Sequence, residues 1–379
     1  MKGFDAIIVG SGLIGLSCAW RLSERGRRVA VYDPMPGQGA SAIGAGMLAP
    51  VTEASWHDTT LIDLNMRAAR DWPKFAEDLE KKSGRGIGFR SCGTIYAAFD
   101  PSDKAALEEI CEFERSLGLE ATWCAPSRLR SIEPLLAPSV RGGIWAPGEH
   151  QVDNRLFFAA LAHVANLAGV RIVNERVDSV ITDAGCVRGV RVGDEAVAAP
   201  LVVLAAGHAV GRIGGLPSGV VPEIRPVKGQ ILRLMTRNGS RFADATVRAL
   251  VNGSTVYVVS RDDGGVVVGA TQEEKGEDVS IDAGALYRLL RDAQHVVPGI
   301  EDLEISEFAA GLRPAARHHQ PVIGAASIDG LVLALGHFRN GILLADVTGQ
   351  AVSALAETGA LPPWCEPFAP ARPVREVAV

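Results

Sequence analysis

The residues best suited to chemistry form a G-x-G-x-x-G motif at positions 10–15, near the start of the chain. An apolar run over residues 6–9 precedes the motif, and apolar residues at helical spacing follow it. In such a strand–turn–helix unit the first glycine permits the tight turn, the second lets backbone approach a pyrophosphate, and the third lets the helix pack on the strand. The helix N terminus also presents unpaired N–H groups to phosphate. The residues predicted to bind a dinucleotide here are Gly10, Gly12, Leu13, Ile14 and Gly15.

A second predicted strand, over residues 28–32, ends at Asp33. An acidic residue about 20 residues beyond the glycine motif is the usual partner of ribose hydroxyls. Glycine turns are common, so the motif alone is weak evidence, and the alternative is a strand–helix–strand unit that binds no nucleotide. Because strand, helix, second strand and acid occur in register, the dinucleotide interpretation is favoured.

A stretch rich in glycine and alanine follows, over residues 37–50. Small residues at this density suit a close approach of backbone to a flat ligand. The alternative, a flexible surface loop, fits poorly because residues 47–49 are apolar and would be exposed to water. The stretch is therefore expected to lie against the cofactor.

The composition is that of an ordinary globular protein of 379 residues, with 47% hydrophobic and 22% charged residues. This length predicts two or three domains. A net charge of −6 without a cluster of Lys and Arg argues against a nucleic-acid-binding surface. The six cysteines lack C-x-x-C spacing, which favours reduced thiols over a disulfide or metal framework.

The sequence also predicts a cytoplasmic location. No apolar run approaches the length of a membrane span. Asp5 interrupts the apolar stretch at the start of the chain, and no small-residue cleavage site closes it, so no signal peptide is expected. Neither a membrane nor a nucleic acid is therefore predicted as a partner.

The order of the predicted elements indicates an α/β fold of mixed α+β character. Continuous apolar runs at residues 201–207 and 331–336 are typical of parallel strands buried on both faces, whereas residues 220–308 are β-rich with a hairpin signal at 262–265. A Rossmann-like domain is predicted to be threaded discontinuously through residues 1–85, 148–219 and 309–379. A second, antiparallel-sheet domain for substrate binding or oligomerisation takes residues 86–147 and 220–308. Residues 176–180 are predicted as a further strand of the parallel type, 342–356 as a helix, and the tail from Leu361 as an extended arm.

Several motifs, in this order along nearly the whole chain, resemble the D-amino-acid-oxidase-like flavoenzymes. Beyond the opening unit they include AGMLAP at residues 45–50, GLRP at 311–314 and GHFRNGILL at 336–344. AGMLAP together with GHFRNGILLA is most similar to the glycine oxidase branch of that family, which serves thiazole synthesis for thiamin. The resemblance implies a non-covalently bound FAD, since no cysteine lies in the segments expected to face the flavin. It also implies oxidation of glycine to an imine, hydrolysed to glyoxylate or captured for thiazole synthesis, with oxygen reduced to hydrogen peroxide.

The same resemblance assigns the cofactor and substrate contacts. Besides the glycine motif, the cofactor-binding residues that it implies are Asp33, Pro34, Ala40, Ser41, Ala45, Gly46, Met47, Val177, Gly207, His337, Phe338, Arg339, Asn340, Gly341, Ile342 and Leu343. Arg313 is implied to bind the substrate carboxylate, which the planar guanidinium suits. Tyr257 is implied to support that contact through its hydroxyl, and Arg339 to reach the substrate. The alternatives are a structural ion pair for Arg313, a half-buried sheet residue for Tyr257 and a surface residue for Arg339. The resemblance further suggests a homo-oligomer, specifically a tetramer.

Some residues depart from the family pattern and leave the substrate preference open. Asp33 replaces the commoner glutamate, Ser260 follows the tyrosine strand in place of proline, and Asp346 follows GILLA in place of proline. Thr255 and Gln272 are expected near the variable wall of the pocket. The amino-acid substrate is thus glycine, or alternatively sarcosine or a small D-amino acid.

Two other functions remain open from the sequence. One is an amine dehydrogenase of the same fold that passes electrons to a quinone or a protein, and the other is a non-catalytic redox sensor. A metal site at His318 and His319 is disfavoured, because no third ligand is suitably spaced.

Overall fold

The computed structural model describes residues 3–54, 56 and 59–370. Its strands are β1 Ala6–Val9, β2 Val29–Tyr32, β3 Met47–Leu48, β4 Thr94–Ala98, β5 Thr122–Cys124, β6 Gly143–Ala146, β7 His150–Gln151, β8 Arg171–Val173, β9 Ser179–Asp183, β10 Cys186–Val192, β11 Glu195–Ala198, β12 Val202–Leu204, β13 Arg225–Met235, β14 Thr246–Val251, β15 Ser254–Ser260, β16 Gly265–Gly269, β17 Glu304–Ala315, β18 Val322–Ala325 and β19 Leu331–Leu335. Its α-helices are α1 Leu13–Glu24, α2 Ala40–Ile43, α3 Thr59–Ser83, α4 Pro101–Ser116, α5 Pro126–Ile132, α6 Asn154–Leu167, α7 Ala283–Val296 and α8 Ala345–Thr358. Short 3₁₀ helices span Gly207–Arg212, Pro298–Asp302, Arg317–His319 and Glu366–Phe368.

A six-stranded sheet carries the opening motif, in the order β18-β19-β12-β1-β2-β8. All neighbours pair in parallel except β18 and β19. Every residue of β1, β12 and β19 is buried, because helices including α1 and α8 cover one face of this sheet and residues of β9 and β10 pack on the other. The predicted mixed α/β fold with parallel central strands is confirmed.

The second large sheet has eight strands, in the order β17-β13-β16-β15-β14-β4-β6-β5. Its neighbours are antiparallel except β4 and β14. Helix α7 packs on this sheet through the buried Leu289 and Val296. The boundary predicted between residues 308 and 309 falls inside β17, which is continuous from Glu304 to Ala315. The division into two domains stays a prediction.

Three local predictions are wrong. Residues 176–180 do not form a parallel strand, because β9 begins at Ser179 and pairs antiparallel with β10 in a separate three-stranded sheet. The last helix begins at Ala345 instead of 342, since the Leu344 N–H donates to the Asn340 carbonyl in a preceding turn. Over residues 361–370 the tail is not an extended arm, because Phe368 is buried in the core of the parallel sheet; residues 371–379 lie outside the described chain.

No helix in the described part of the chain is long and apolar enough to cross a membrane.

Candidate active site

A cavity of about 460 Å³ lies where the two sheets meet, and residues from both sheets line it. It brings together most of the residues that the sequence predicted for cofactor and substrate. The predicted residues that line it are Gly10, Gly12, Leu13, Ile14, Asp33, Pro34, Ala40, Ser41, Ala45, Gly46, Met47, Val177, Gly207, Tyr257, Arg313, His337, Phe338, Arg339, Gly341 and Ile342. One cavity thus collects segments that are far apart in the sequence.

Three predicted residues lie outside the cavity lining. A Cβ atom on Gly15 would lie 1.9 Å from the Gly10 carbonyl oxygen, so this glycine serves helix–strand packing. Leu343 is buried in the core, and its carbonyl accepts a hydrogen bond of 2.8 Å from the Trp72 indole. The Asn340 carbonyl accepts from the Leu344 N–H at 2.8 Å. Leu343 thus lies in the turn that precedes α8, with its side chain in the core.

The glycine turn between β1 and α1 fits the pyrophosphate of a dinucleotide. Gly10 has φ of +104°, and a Cβ there would lie 2.5 Å from the Ala205 carbonyl oxygen, so only glycine suits the position. Helix α1 begins after Gly12 with neither a side-chain cap from that residue nor an acid in its first turn. The Leu13 N–H donates to the Ser41 hydroxyl at 3.1 Å, and both residues line the cavity, so the positive end of the helix faces the space where a phosphate would bind.

Asp33 is held at the cavity wall by three hydrogen bonds. Its Oδ2 atom accepts from the Ser11 N–H at 2.8 Å and from the Ser11 hydroxyl at 2.9 Å, and its Oδ1 atom accepts from the Met35 N–H at 2.9 Å. These bonds fix the carboxylate beside the phosphate turn, where ribose hydroxyls can donate to it. The residues present thus fit the nucleotide half of the cofactor.

The AGMLAP segment is fixed against the antiparallel sheet. A Cβ on Gly46 would lie 1.8 Å from the Val152 carbonyl oxygen, so this backbone passes very close to its neighbour. The buried Arg261 donates from Nη1 to the Val152 carbonyl at 2.9 Å and from Nη2 to the Ala45 carbonyl. Met47 continues into β3 and contributes to the cavity wall.

Arg313 projects from β17 into the cavity over a glycine. Strands β13 and β17 place Gly229 opposite Gly311, and the Arg313 guanidinium lies where a Gly229 side chain would be. Its Nη1 atom donates to the Thr271 carbonyl at 3.0 Å. Burial lowers the pKa of Arg313 from its ordinary value, while the nearby Tyr257 and the charge of Glu53 oppose this shift. Without a carboxylate of its own at hydrogen-bonding distance among the described residues, the guanidinium suits a ligand carboxylate.

Tyr257 reaches the same cavity from β15. Its ring lies over Gly269 of β16, where an added Cβ would be 2.4 Å from the phenol oxygen. Burial raises the pKa of Tyr257 above 10.0, the nearby Arg313 opposes the shift, and Glu53 reinforces it. The phenol therefore stays protonated at neutral pH and can donate a hydrogen bond.

Arg339 is exposed at the mouth of the cavity. Its Nη2 atom donates to the Gln272 side-chain oxygen at 2.6 Å, and its guanidinium lies 5.6 Å from the centroid of the Phe338 ring. Gln272, one of the departures from the family pattern, thus restrains Arg339. The arginine is neither buried nor committed to an ion pair within the described chain.

The sequence prediction missed two charged residues of the cavity, Glu53 and Arg248. Arg248 is buried, its guanidinium lies 4.5 Å from the centroid of the Tyr96 ring, and its Nη1 atom donates to the Thr52 carbonyl. The same Nη1 atom lies 3.9 Å from Glu53 Oε1. The available signals were an acid three residues after the end of AGMLAP and an arginine inside the apolar strand β14.

The other departures have structural roles or positions. The Ser260 hydroxyl accepts from the Phe242 and Ala243 N–H groups at 3.0 and 3.1 Å. Thr255 is exposed at the cavity wall.

Of the two histidines considered for a metal site, His319 stacks on Phe338 with ring centroids 4.3 Å apart. Within the described ranges, no three His, Cys, Asp or Glu residues are grouped to hold a metal.

Residues 5–355 match the family of FAD dependent oxidoreductases described as DAO. The chain is 32% identical to the glycine oxidase of Geobacillus kaustophilus over 99% of both chains. It is also 31% identical to the bifunctional protein ThiO/ThiG of Synechocystis. That match includes 97% of this chain but only 54% of the relative. The chain therefore spans about half the length of this bifunctional relative.

Solved structures give the same result. The crystal structure of the Geobacillus kaustophilus glycine oxidase superposes with a TM-score of 0.88 at 31% identity, covering 98% of this chain and 99% of that one. The iminodiacetate oxidase of Chelativorans sp. BNC1 has a TM-score of 0.86 at 25% identity, covering 96% and 98% of the two chains. The resemblance inferred from the sequence motifs, and FAD as the cofactor, are confirmed.

Proposed function

The chain belongs to the family of FAD dependent oxidoreductases, and we propose that it is an oxidase that deaminates glycine. The observation that carries this proposal is the presence of Arg313 and Tyr257 in the cavity that also contains the dinucleotide turn. FAD held in this cavity would supply the oxidising chemistry: it would accept the two electrons of the substrate Cα–H bond as a hydride, and oxygen would then receive them. The expected products are an imine, hydrolysed to glyoxylate, and hydrogen peroxide.

The chain's own residues bind and orient both molecules. The turn at Gly10–Gly12 and the start of α1 would hold the pyrophosphate, and Asp33 the ribose. The Arg313 guanidinium would bind the substrate carboxylate with the Tyr257 phenol as a second donor. Fixing one end of a small amino acid restricts where its Cα–H bond points, which is the positional contribution a protein makes to such a reaction.

Glycine is the proposed substrate because the resemblance to glycine oxidases covers the full chain. Sarcosine and small D-amino acids are the alternatives, since two departures from the family pattern lie at or near the cavity: Thr255 lines it, and Gln272, outside the lining, accepts a hydrogen bond from Arg339. A role in thiazole synthesis for thiamin is proposed from the likeness to a protein in which a ThiO part is joined to ThiG.

We propose that FAD is bound without a covalent bond. None of the six cysteines lies among the residues that line the cavity. Acid precipitation of the purified protein should leave the yellow flavin in the supernatant. Flavin retained in the pellet would show a covalent attachment.

We also propose a cytoplasmic homo-oligomer, with the tetramer suggested by the resemblance. All six cysteines are free, as expected in a reducing compartment. Strand β17 lies at an edge of its sheet and exposes Ile305 and Phe308, whose relative exposures are 55% and 41%. Light scattering after size-exclusion chromatography measures the oligomeric state, and cell fractionation measures the location.

The decisive experiment is anaerobic addition of glycine to the purified holoenzyme, followed by air, with flavin absorbance and peroxide as readouts. Bleaching by glycine, recovery in air and peroxide formation support the proposal. Bleaching only by sarcosine or a D-amino acid would replace the substrate. Bleaching without recovery in air would indicate a dehydrogenase, and no bleaching by any amino acid would favour a redox sensor. Arg313→Met should bind FAD normally but need far more glycine for bleaching.

A further inference from the structure

Two carboxylates, Asp33 and Glu53, line the cavity in the described chain, and they differ in their hydrogen-bond partners. Asp33 accepts three hydrogen bonds beside the phosphate turn. Glu53 accepts none from any other described residue, and its nearest cationic partner there, Arg248, is 3.9 Å away. The Glu53 side chain is 20% exposed, so its oxygens remain accessible from the cavity. A charged acceptor without donors on a cavity wall is suited to a cationic ligand group.

The charge of Glu53 acts on the carboxylate-binding residues. Burial lowers the pKa of Arg313, and Glu53 is one of the charges that oppose the shift. Burial raises the pKa of Tyr257, and Glu53 reinforces this shift. All three side chains line the same cavity. The substrate end of the cavity thus combines a cationic group with an anionic one.

The backbone that carries Glu53 is rigidly held. The buried Glu149 carboxylate accepts from the Val51 N–H at 2.8 Å, the Thr52 N–H at 2.7 Å and the Thr52 hydroxyl at 2.9 Å. Arg248 donates to the Thr52 carbonyl. The N–H, the hydroxyl and the carbonyl of Thr52 are thus all engaged in hydrogen bonds. The carboxylate of Glu53 is therefore positioned by the fold and is not that of a freely moving surface acid.

We propose that Glu53 binds the ammonium group of the amino-acid substrate and accepts one proton from it, while Arg313 and Tyr257 hold the carboxylate. This inference rests on the proposed function, since it requires a zwitterionic amino acid. The substrate carboxylate then faces Arg313 and its ammonium group faces Glu53, two of the charged residues that line the cavity. The same arrangement favours amino acids over carboxylic acids that lack an amine.

The proton transfer is balanced without an external reagent. One N–H bond of the ammonium group breaks and one O–H bond forms on Glu53, so the substrate becomes a neutral amine and the carboxylate a carboxylic acid. This step is a proton transfer and involves no oxidation or reduction. The neutral amine has the lone pair that stabilises the developing carbon–nitrogen double bond, which an ammonium group lacks. The proton on Glu53 can then pass to water, since the Glu53 side chain is 20% exposed.

The test compares two ligands that share a carboxylate but differ in the amine. Glycine affinity is obtained from the concentration dependence of anaerobic flavin reduction, and acetate affinity from the change in flavin absorbance on titration. In Glu53→Gln, glycine affinity should fall at least about tenfold, as loss of a charged hydrogen-bond acceptor predicts, with acetate affinity changed less than about twofold. The matched control is Glu357→Gln. Glu357 is an exposed carboxylate on α8 that lies 3.4 Å from Arg25, and neither residue lines the cavity. It should change neither affinity.

The pH profile tests the proton transfer. With Glu53→Gln, kcat/KM for glycine should rise with pH in proportion to the fraction of neutral amine in solution, and Glu53→Asp should restore part of the wild-type profile at lower pH. Equal losses of glycine and acetate affinity in Glu53→Gln would show that the residue supports the pocket, and would overturn the proposal. So would unchanged glycine affinity or an unchanged pH profile. If the wild-type flavin is not reduced by any amino acid, the proposed function itself fails, which is a distinct result.

Discussion

The guanidinium of Arg313 lies directly over the Cα atom of Gly229 on the neighbouring strand. A Cβ atom on Gly229 would be 2.4 Å from Nη1 and 2.5 Å from Cζ. The same relationship recurs between Tyr257 and Gly269, where the distance to the phenol oxygen would be 2.4 Å. Both side chains proposed to contact the substrate therefore lie in spaces that exist because a strand residue has no side chain.

Gly229→Ala should displace Arg313 without removing it. A contact this short cannot be tolerated, and the backbone of β17 holds the rest of the residue, so the guanidinium must move from its position. We expect KM for glycine to rise roughly tenfold or more, as loss of a charged hydrogen bond does, while FAD content is unchanged. Steady-state kinetics and the flavin-to-protein absorbance ratio measure the two effects.

The control for this variant is Gly211→Ala, because a Cβ at Gly211 would meet nothing within 4 Å. It should leave KM unchanged. An unchanged KM in Gly229→Ala would mean that Arg313 does not need its present position for substrate binding.

Tyr257→Phe should weaken substrate binding less than Arg313→Met does. The phenol supplies one hydrogen bond, whereas the guanidinium supplies charge and several donors. We expect KM for glycine to rise about tenfold in Tyr257→Phe and about 100-fold in Arg313→Met, with FAD affinity retained in both. A competitive titration with acetate should show the same order, since both residues are proposed to contact the carboxylate. If either variant lost FAD affinity as strongly as it lost glycine affinity, the assignment of that residue to the substrate carboxylate would be contradicted.

Asp346→Asn should lower stability and leave catalysis intact. Asp346 Oδ1 accepts from Arg21 Nε at 2.9 Å, and Oδ2 accepts from the Gln350 amide at 2.7 Å, so this departure from the family pattern joins α1 to α8. Removing the charge should reduce the free energy of unfolding by about 1–3 kcal/mol. Urea unfolding measures the change, and KM for glycine should stay the same. Glu357→Gln, at an exposed pair between the same two helices, should cost less than about 1 kcal/mol.

The residues predicted to bind the nucleotide could be brought to one cavity from the sequence alone, because they belong to local patterns. The turn at Gly10–Gly12, the acid at the end of β2 and the AGMLAP segment each have a spacing that follows from backbone geometry. Residues of all three line the cavity, and their contacts with the cofactor stay a prediction. Short-range chemistry is therefore visible before the fold is known.

The substrate half depended on long-range pairing that spacing does not encode. Glu53 and Arg248 meet only because β14 pairs with β4 in parallel and packs beneath the segment that follows AGMLAP. The resemblance implied Leu343 as a cofactor contact and the pattern predicted a helix from residue 342, whereas α8 begins at Ala345 and Leu343 is buried in the core. The roles of Gly229 and Gly269 arise from cross-strand neighbours and have no local signal.

A buried carboxylate behind the cavity should make stability depend on pH. Glu114 is fully buried, and both of its oxygens lack a hydrogen-bond partner among the described residues. Burial, reinforced by the charge of Glu149 and opposed by Arg248, raises the pKa of Glu114 from 4.5 to about 8. Between these values the folded protein holds a proton that the unfolded chain releases. Its contribution is therefore fully present below pH 4.5 and is lost as the pH rises towards about 8.

Glu114→Gln removes this ionisation and nearly preserves the shape of the side chain. Wild-type protein should lose on the order of 1–3 kcal/mol of unfolding free energy between pH 5 and pH 8, and the variant should lose less. Some decline should persist, because burial also raises the pKa of Glu149 to about 7. Urea unfolding at intervals across this pH range measures the slopes, with the exposed Glu112→Gln on the same helix as a control that keeps the wild-type slope. Parallel slopes for wild type and Glu114→Gln would show that Glu114 ionises in the folded protein as it does in the unfolded chain.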